Sequence, residues 1–220
     1  MIQFLNVSKT YDTNLALRDI NLSIEKGDMV FLTGPSGAGK TTLLKLIYAA
    51  ELPDSGKIYV GEWNTGGLDS DSIPLLRRNI GIVFQDFRLL LNRNVFDNVA
   101  LALRVRKVPE NEVKARVMDS LKIVNLRHKT DSFQGTLSGG EQQRVVISRA
   151  IVAEPAILLA DEPTGNLDRD TAAGIMKIFR YINAKGTTIL IATHNRELFS
   201  NTGKRVIRLM AGSITGEAKG

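Results

Sequence analysis

The run Gly34-Pro35-Ser36-Gly37-Ala38-Gly39-Lys40-Thr41-Thr42 constrains this chain more than any other feature. It fits the G-x-x-x-x-G-K-[ST] spacing of a phosphate-binding loop. The setting agrees: an apolar strand, Met29 to Thr33, leads in, and an apolar-periodic helix through Leu43 to Ile47 leads out. Glycines let successive backbone N–H groups curl round a phosphate, and the helix N-terminus adds the positive end of its dipole. Lys40 then reaches the β- and γ-phosphates, and the Thr41 hydroxyl ligates Mg²⁺. A glycine-rich turn ahead of a helix is the bland alternative, and it does not require the full pattern between strand and helix.

Further short apolar runs recur at Ile80 to Phe84, Ile157 to Ala160, Thr188 to Ala192 and Arg205 to Met210. Several are apolar throughout instead of alternating, which predicts strands buried on both faces. Helical patterns separate them, as in Val113, Val117, Leu121 and Val124 on one face. Strands interleaved with helices imply an α/β fold with a largely parallel core sheet. The opening differs, because Ile2 to Val7, Leu17 to Ile24 and Lys57 to Val60 read as strands with no helix between the first two. They predict an antiparallel subsheet leaning on the core. Residues 87–152 read as a helical subdomain, with Pro109 opening one helix, and residues 1–86 and 153–220 as the core with its subsheet. Gly212 to Gly220 reads as a frayed tail.

Bulk properties exclude a few classes. The 220 residues are 43% hydrophobic and 24% charged, which suits one globular unit with a sizeable core. No apolar run approaches the roughly 18 residues of a bilayer span, and the N-terminus does not read as a secretory signal. The absence of cysteine excludes disulfides and thiolate metal sites. The net charge of +6 would suit nucleic acid, an anionic membrane leaflet or a phosphate ligand, but the basic residues are scattered and charge alone decides nothing. No nucleic-acid partner is expected on the reading reached below.

A second site element ends the run Ile157-Leu158-Leu159-Ala160-Asp161-Glu162. Adjacent carboxylates at a strand end point to opposite sides of the chain. Asp161 can hold Mg²⁺ through water, while Glu162 projects toward the γ-phosphate as base for the attacking water. A solvated loop start would also carry two acids, but not at this place after a phosphate loop.

Leu137-Ser138-Gly139-Gly140-Glu141-Gln142-Gln143-Arg144 narrows the reading. Ser138 and Glu141 have capping-box spacing at the start of a helix that Val145, Ile147 and Ile151 continue. A cap alone does not need two glycines in the first turn, where they cost helix stability. The run resembles the signature sequence of ABC ATPases, in which this helix start approaches the γ-phosphate of ATP held by another subunit. That resemblance implies a homodimer on ATP binding and extends over essentially the whole chain. It implies that Tyr11 stacks on adenine, that Gln85 senses Mg²⁺ and faces the groove for a partner, and that Gly165-Asn166-Leu167-Asp168 spans the dimer. It also implies that His194 holds the γ-phosphate and orients Glu162. Glu141 and Thr41 depart conservatively from the commonest residues of their motifs.

A single cassette without a coiled-coil insertion between Gly34 and Ser138 favours the membrane-coupled members over DNA-maintenance or translation ATPases. Ala160 to Asp168 resembles the group of macrolide-efflux, lipoprotein-release and cell-division ATPases. Phe31 to Ile47 and Phe84 to Leu90 resemble its cell-division branch. That branch implies a four-helix, permease-like membrane partner docking near Gln85 to Val99 and peripheral attachment at the cytoplasmic face. It also implies relay of ATP-driven closure to cell-wall hydrolases. A lipoprotein-release or macrolide-efflux ATPase is the alternative. Phe87, Leu89, Leu90 and Leu91 are either part of that docking surface or internal packing.

Overall fold

The computed structural model describes residues 1–220. Strands β1 (Ile2–Tyr11) and β2 (Asn14–Ile24) form a hairpin, and β3 (Met29–Thr33) runs into helix α1 (Lys40–Ile47). Next come β4 (Ser55–Val60), the two-residue β5 (Trp63–Asn64), helix α2 (Ser72–Arg78) and β6 (Ile80–Val83). Helices α3 (Val95–Arg104), α4 (Glu110–Ile123) and α5 (Gly139–Ile151) follow without an intervening strand. The chain closes with β7 (Ile157–Asp161), α6 (Arg169–Ala184), β8 (Thr188–Ala192), β9 (Arg205–Met210) and β10 (Ser213–Lys219).

Two sheets result. The antiparallel one has order β2-β1-β4-β5, and the larger one β10-β9-β3-β8-β7-β6. Every pairing in the larger sheet is parallel except β9 with β10. The unbroken apolar strands follow from this layering, because each face of the large sheet meets a different core. Met29, Phe31, Leu158 and Ala160 belong to a cluster shared with α3, α4, α5 and α6. Val30, Leu32, Leu159 and Leu190 belong to a second, shared with α1 and the antiparallel sheet. A period-two alternation therefore exists, but both phases are apolar. Truncating a fully buried member such as Leu158 to alanine would cost about 2–5 kcal/mol.

The segment 87–152 shares its core with the sheet, since Val113, Val117, Leu121 and Val145 sit in the same cluster as Phe31 and Ile191. Pro109 occupies the N-cap position of α4, where its missing N–H costs nothing.

The C-terminal segment corrects one expectation. Residues 212–220 are not frayed: Ser213–Lys219 form β10, paired antiparallel to β9. The turn between them has φ of 45° at Ala211 and 78° at Gly212. Those signs are those of a type I′ hairpin turn, usually announced by Asn-Gly. Alanine in the first position, and a strand whose residues from Thr215 to Lys219 are all exposed, left no alternating pattern to read. This hairpin tip supports the phosphate loop, since Gly212 N–H donates to Ala38 O at 3.1 Å.

Candidate active site

Parallel strands bring the C-terminal ends of β3, β8, β7 and β6 side by side. From those ends leave, in that spatial order, the phosphate loop, His194, the Asp161–Glu162 pair and Gln85. The register places Asp161 directly opposite Ala192. Residues separated by more than a hundred positions thus meet on one edge.

The loop's glycines have steric reasons to be glycine. Gly39 takes φ 104° at the N-cap of α1, and a Cβ there would lie 2.6 Å from Ala16 O. A Cβ on Gly34 would collide with the backbone carbonyl of Leu209. Pro35, Ser36 and Gly37 are exposed on the rim, Thr42 is half-buried, and Ala38 is buried beneath. Lys40 is 8% exposed, and its ammonium donates to Gly34 O at 2.8 Å and Pro35 O at 3.1 Å. The cation is therefore held inside the loop by carbonyls that a phosphate oxygen can replace.

Thr41 Oγ1 donates to Asp161 Oδ2 at 2.7 Å. Burial pushes the Asp161 carboxyl above the ordinary aspartate range, and Glu162 adds to this, while Thr41 and Lys40 oppose it. Glu162 leaves strand geometry with φ 46°, and its N–H donates to Ala192 O at 2.9 Å. Backbone in that region costs a non-glycine residue about 1–3 kcal/mol. The turn swings the carboxylate to His194, whose Nδ1 lies 2.7 Å from Oε1 and whose backbone N–H donates to the same oxygen at 3.1 Å. Lys40 Nζ stands 3.8 Å from that oxygen. Glu162 lies one residue beyond β7, so strand alternation does not govern its direction; the left-handed turn at Glu162 does. The Glu162 side chain is 11% exposed and that of His194 66%, so a shielded carboxylate has an accessible imidazole beside it.

The remaining expected residues divide between this edge and elsewhere. Gln85 is exposed just past β6. Tyr11 ends β1, half-buried, with Lys9 Nζ 5.4 Å from its ring centroid and a buried hydroxyl that has no partner. Ser138 caps α5 and forms the capping box in full. Glu141 N–H donates to Ser138 Oγ at 3.3 Å, and Ser138 N–H donates to Glu141 Oε2 at 2.8 Å. Those contacts, chiefly the Ser138 N–H, hold the Glu141 carboxyl below its ordinary range, with Lys129 adding to the effect. Its carboxylate is thereby turned back into its own helix. Gly139 is exposed, and a Cβ on Gly140 would meet Thr171 Cγ2 at 2.5 Å. Asp168 caps α6 by accepting from Thr171 N–H at 2.9 Å. No hydrogen bond or ion pair joins Ser138–Glu141 to the phosphate loop within the chain.

Two organising residues were missed by sequence reasoning. Buried Asn98 accepts from Leu90 N–H and donates to the carbonyls of Leu90, Arg93 and Asn94, which sets the loop ahead of α3. Arg149 donates to Phe87 O at 3.0 Å and Arg88 O at 2.7 Å. A polar residue standing in an apolar helical stripe was the only available signal for either. The apolar segment beside them splits: Leu89 is buried and Phe87 packs on the core, whereas Leu90 is 40% and Leu91 74% exposed.

A strand-to-helix phosphate loop, an acid pair two strands away in the same sheet and a serine-capped glycine helix on the same chain define a nucleotide-hydrolysing cassette. The family model described as ABC transporter matches residues 17–165, more than half of the chain. The chain belongs to that family and is one of its ATPase cassettes. The solved dimer of the ATP-binding cassette MJ0796 in a post-hydrolysis state with ADP and Pi is similar over 100% of this chain and 98% of that one. Its TM-score is 0.91 and its identity 36%.

Closer relatives in sequence place the chain within the family. The cell division ATP-binding protein FtsE of Bacillus subtilis is 46% identical over 215 residues, covering 97% of this chain and 94% of that protein. FtsE of Escherichia coli K12 is 46% identical over 217 residues, covering 98% of each. The chain belongs to the FtsE family of cell division ATP-binding proteins.

Proposed function

We propose that the chain closes as a homodimer around ATP and relays that closure to a permease-like membrane subunit of the FtsX type, from the cytoplasmic face of the membrane. On this reading the signalling output is control of cell-wall hydrolases during division, and no transported substrate is needed. Similarity to FtsE proteins along nearly the whole chain is the observation that carries the reading. No helix here is long and apolar enough to cross a membrane, so attachment would run through the partner. Exposed Leu90 and Leu91, beside Gln85, offer that partner an apolar foothold.

Each site is composite on this account. The phosphate loop of one copy holds the phosphates through Lys40 and backbone N–H groups, Tyr11 takes the adenine, and Ser138 to Glu141 of the other copy close over the γ-phosphate. Residues 87–152 act as the helical subdomain that presents this signature. The Thr41 hydroxyl and Asp161 carboxylate, 2.7 Å apart, are a hard oxygen pair suited to Mg²⁺, which is commonly held by one or two carboxylates plus substrate phosphates. With Gln85 they would hold that ion, which supplies charge neutralisation between the phosphates. Glu162 accepts the proton of the attacking water, and His194 orients its carboxylate. Catalysis then rests on positioning and charge stabilisation.

The test is capture from native membranes with Glu162→Gln protein loaded with ATP. A small permease-like subunit together with cell-wall factors is the expected yield. A lipoprotein-release permease, or no membrane protein, would overturn the division role and leave the ATPase.

A further inference from the structure

Helix α5 carries one element of the site at its head and grips the loop that bears another at its foot. Its first turn carries Ser138 and the two glycines. Its last turn carries Arg149, about 15 Å further along at 1.5 Å per residue. There the helix lies hard against the end of the core sheet: a Cβ on Gly81 of β6 would collide with the carbonyl of Ala150.

The Arg149 guanidinium, half-buried, pairs with no acid. Burial alone lowers its pKa, with no carboxylate offsetting the loss of water. A cation so placed costs stability unless hydrogen bonds replace its hydration. Both replacements are carbonyls of one short loop, those of Phe87 and Arg88. Arg88 is held at φ 49°, and its own guanidinium lies over the Phe84 ring at 4.1 Å. Gln85 and Asp86 are bracketed between that stacked pair. The loop is thus closed on itself and fastened to α5 by two charge-assisted hydrogen bonds. An apolar side chain would fill the same space without reaching those carbonyls, and a lysine would reach at most part of the fork's geometry.

In a dimer of the proposed kind, the head of α5 touches ATP bound to the partner, while the loop at its foot carries the Gln85 that faces the chain's own ATP. We propose that Arg149 is a positioning residue that couples the two composite sites, transmitting the seating of the signature on one ATP to the Gln85 loop beside the other. This rests on the ATP-dimer reading above. Both ends of a packed helix move as one body, and a loop fastened at Phe87 and Arg88 follows its foot.

Amide hydrogen exchange on the Glu162→Gln chain, with and without ATP, tests the coupling. ATP is expected to slow exchange in both 34–42 and 84–90. With Arg149→Lys added, slowing in 34–42 stays within about twofold, while the slowing in 84–90 falls at least tenfold. Ser138→Arg, which prevents closure on the dimer reading, removes the slowing in 84–90 whether or not Arg149 is changed, while bound ATP still slows 34–42. Arg149→Met reports the same loss provided its melting temperature matches the parent's; if it unfolds, Arg149→Lys decides. Retained 84–90 slowing in folded Arg149→Lys, or 84–90 slowing that survives Ser138→Arg in a chain that no longer dimerises, overturns the coupling. A Glu162→Gln chain that stays monomeric with ATP overturns the dimer reading and the coupling together.

Discussion

His194 Nδ1 and Glu162 Oε1 lie 2.7 Å apart, and the backbone N–H of His194 donates to the same oxygen. The histidine therefore fixes the direction of the carboxylate from two sides. On the proposed function Glu162 is the base and His194 its holder, and removing each should look different. Glu162→Gln should lower the rate of ATP hydrolysis by about 10²–10⁴ without weakening nucleotide binding. His194→Ala should lower it less, since the carboxylate remains. Single-turnover hydrolysis with protein in excess over ATP checks the order; a larger loss for His194→Ala would assign the histidine a role beyond orientation.

Asp161 makes the stability of the nucleotide-free protein depend on pH. Burial raises its folded-state pKa above the unfolded value. An acid raised in this way contributes stability that is fully present below the unfolded pKa, about 3.9, and is lost as pH rises through the folded one. Asp161→Asn should therefore melt higher than the parent at neutral pH, with the gap closing below about pH 4. Thermal melts without nucleotide or Mg²⁺ measure it. An equal gap at every pH would place the effect elsewhere.

Ser138 serves the helix and, on the proposed account, the partner's phosphate. Ser138→Ala loses a cap worth about 1 kcal/mol. It should also lower hydrolysis by about 10²–10³, as when one preorganised donor to developing charge is deleted. Glu141→Ala breaks the other arm of the capping box with comparable loss of stability. Because that carboxylate is already engaged by Ser138 N–H and Lys129, its effect on hydrolysis should be smaller. Urea titrations beside steady-state rates separate the two roles.

Gly39→Ala should be worse than either. Its φ of 104° alone costs a side chain about 1–3 kcal/mol, and the 2.6 Å approach to Ala16 O adds to that. Urea unfolding should show the loss, with ATP binding falling alongside it. Wild-type stability would contradict the loop geometry.

Much of the site was legible because its chemistry is local. Gly34 to Thr41 and Ser138 to Glu141 carry their geometry in contiguous residues, and Met29 to Thr33 or Thr188 to Ala192 announce burial on both faces by being wholly apolar. What escaped depends on contacts distant in sequence. β10 is an exposed edge strand whose turn uses alanine in a left-handed position. Arg149 meets Phe87 and Arg88 across some sixty positions. The swing of Glu162 toward His194 needs a backbone angle that no glycine signals.

Closure of two copies of this chain around ATP at composite sites can be read by sedimentation velocity on Glu162→Gln protein with ATP, ADP or neither. A dimer should form with ATP alone and be lost on adding Lys40→Ala or Ser138→Arg. A monomer under all three conditions, or a dimer indifferent to nucleotide, would rule out ATP-driven closure.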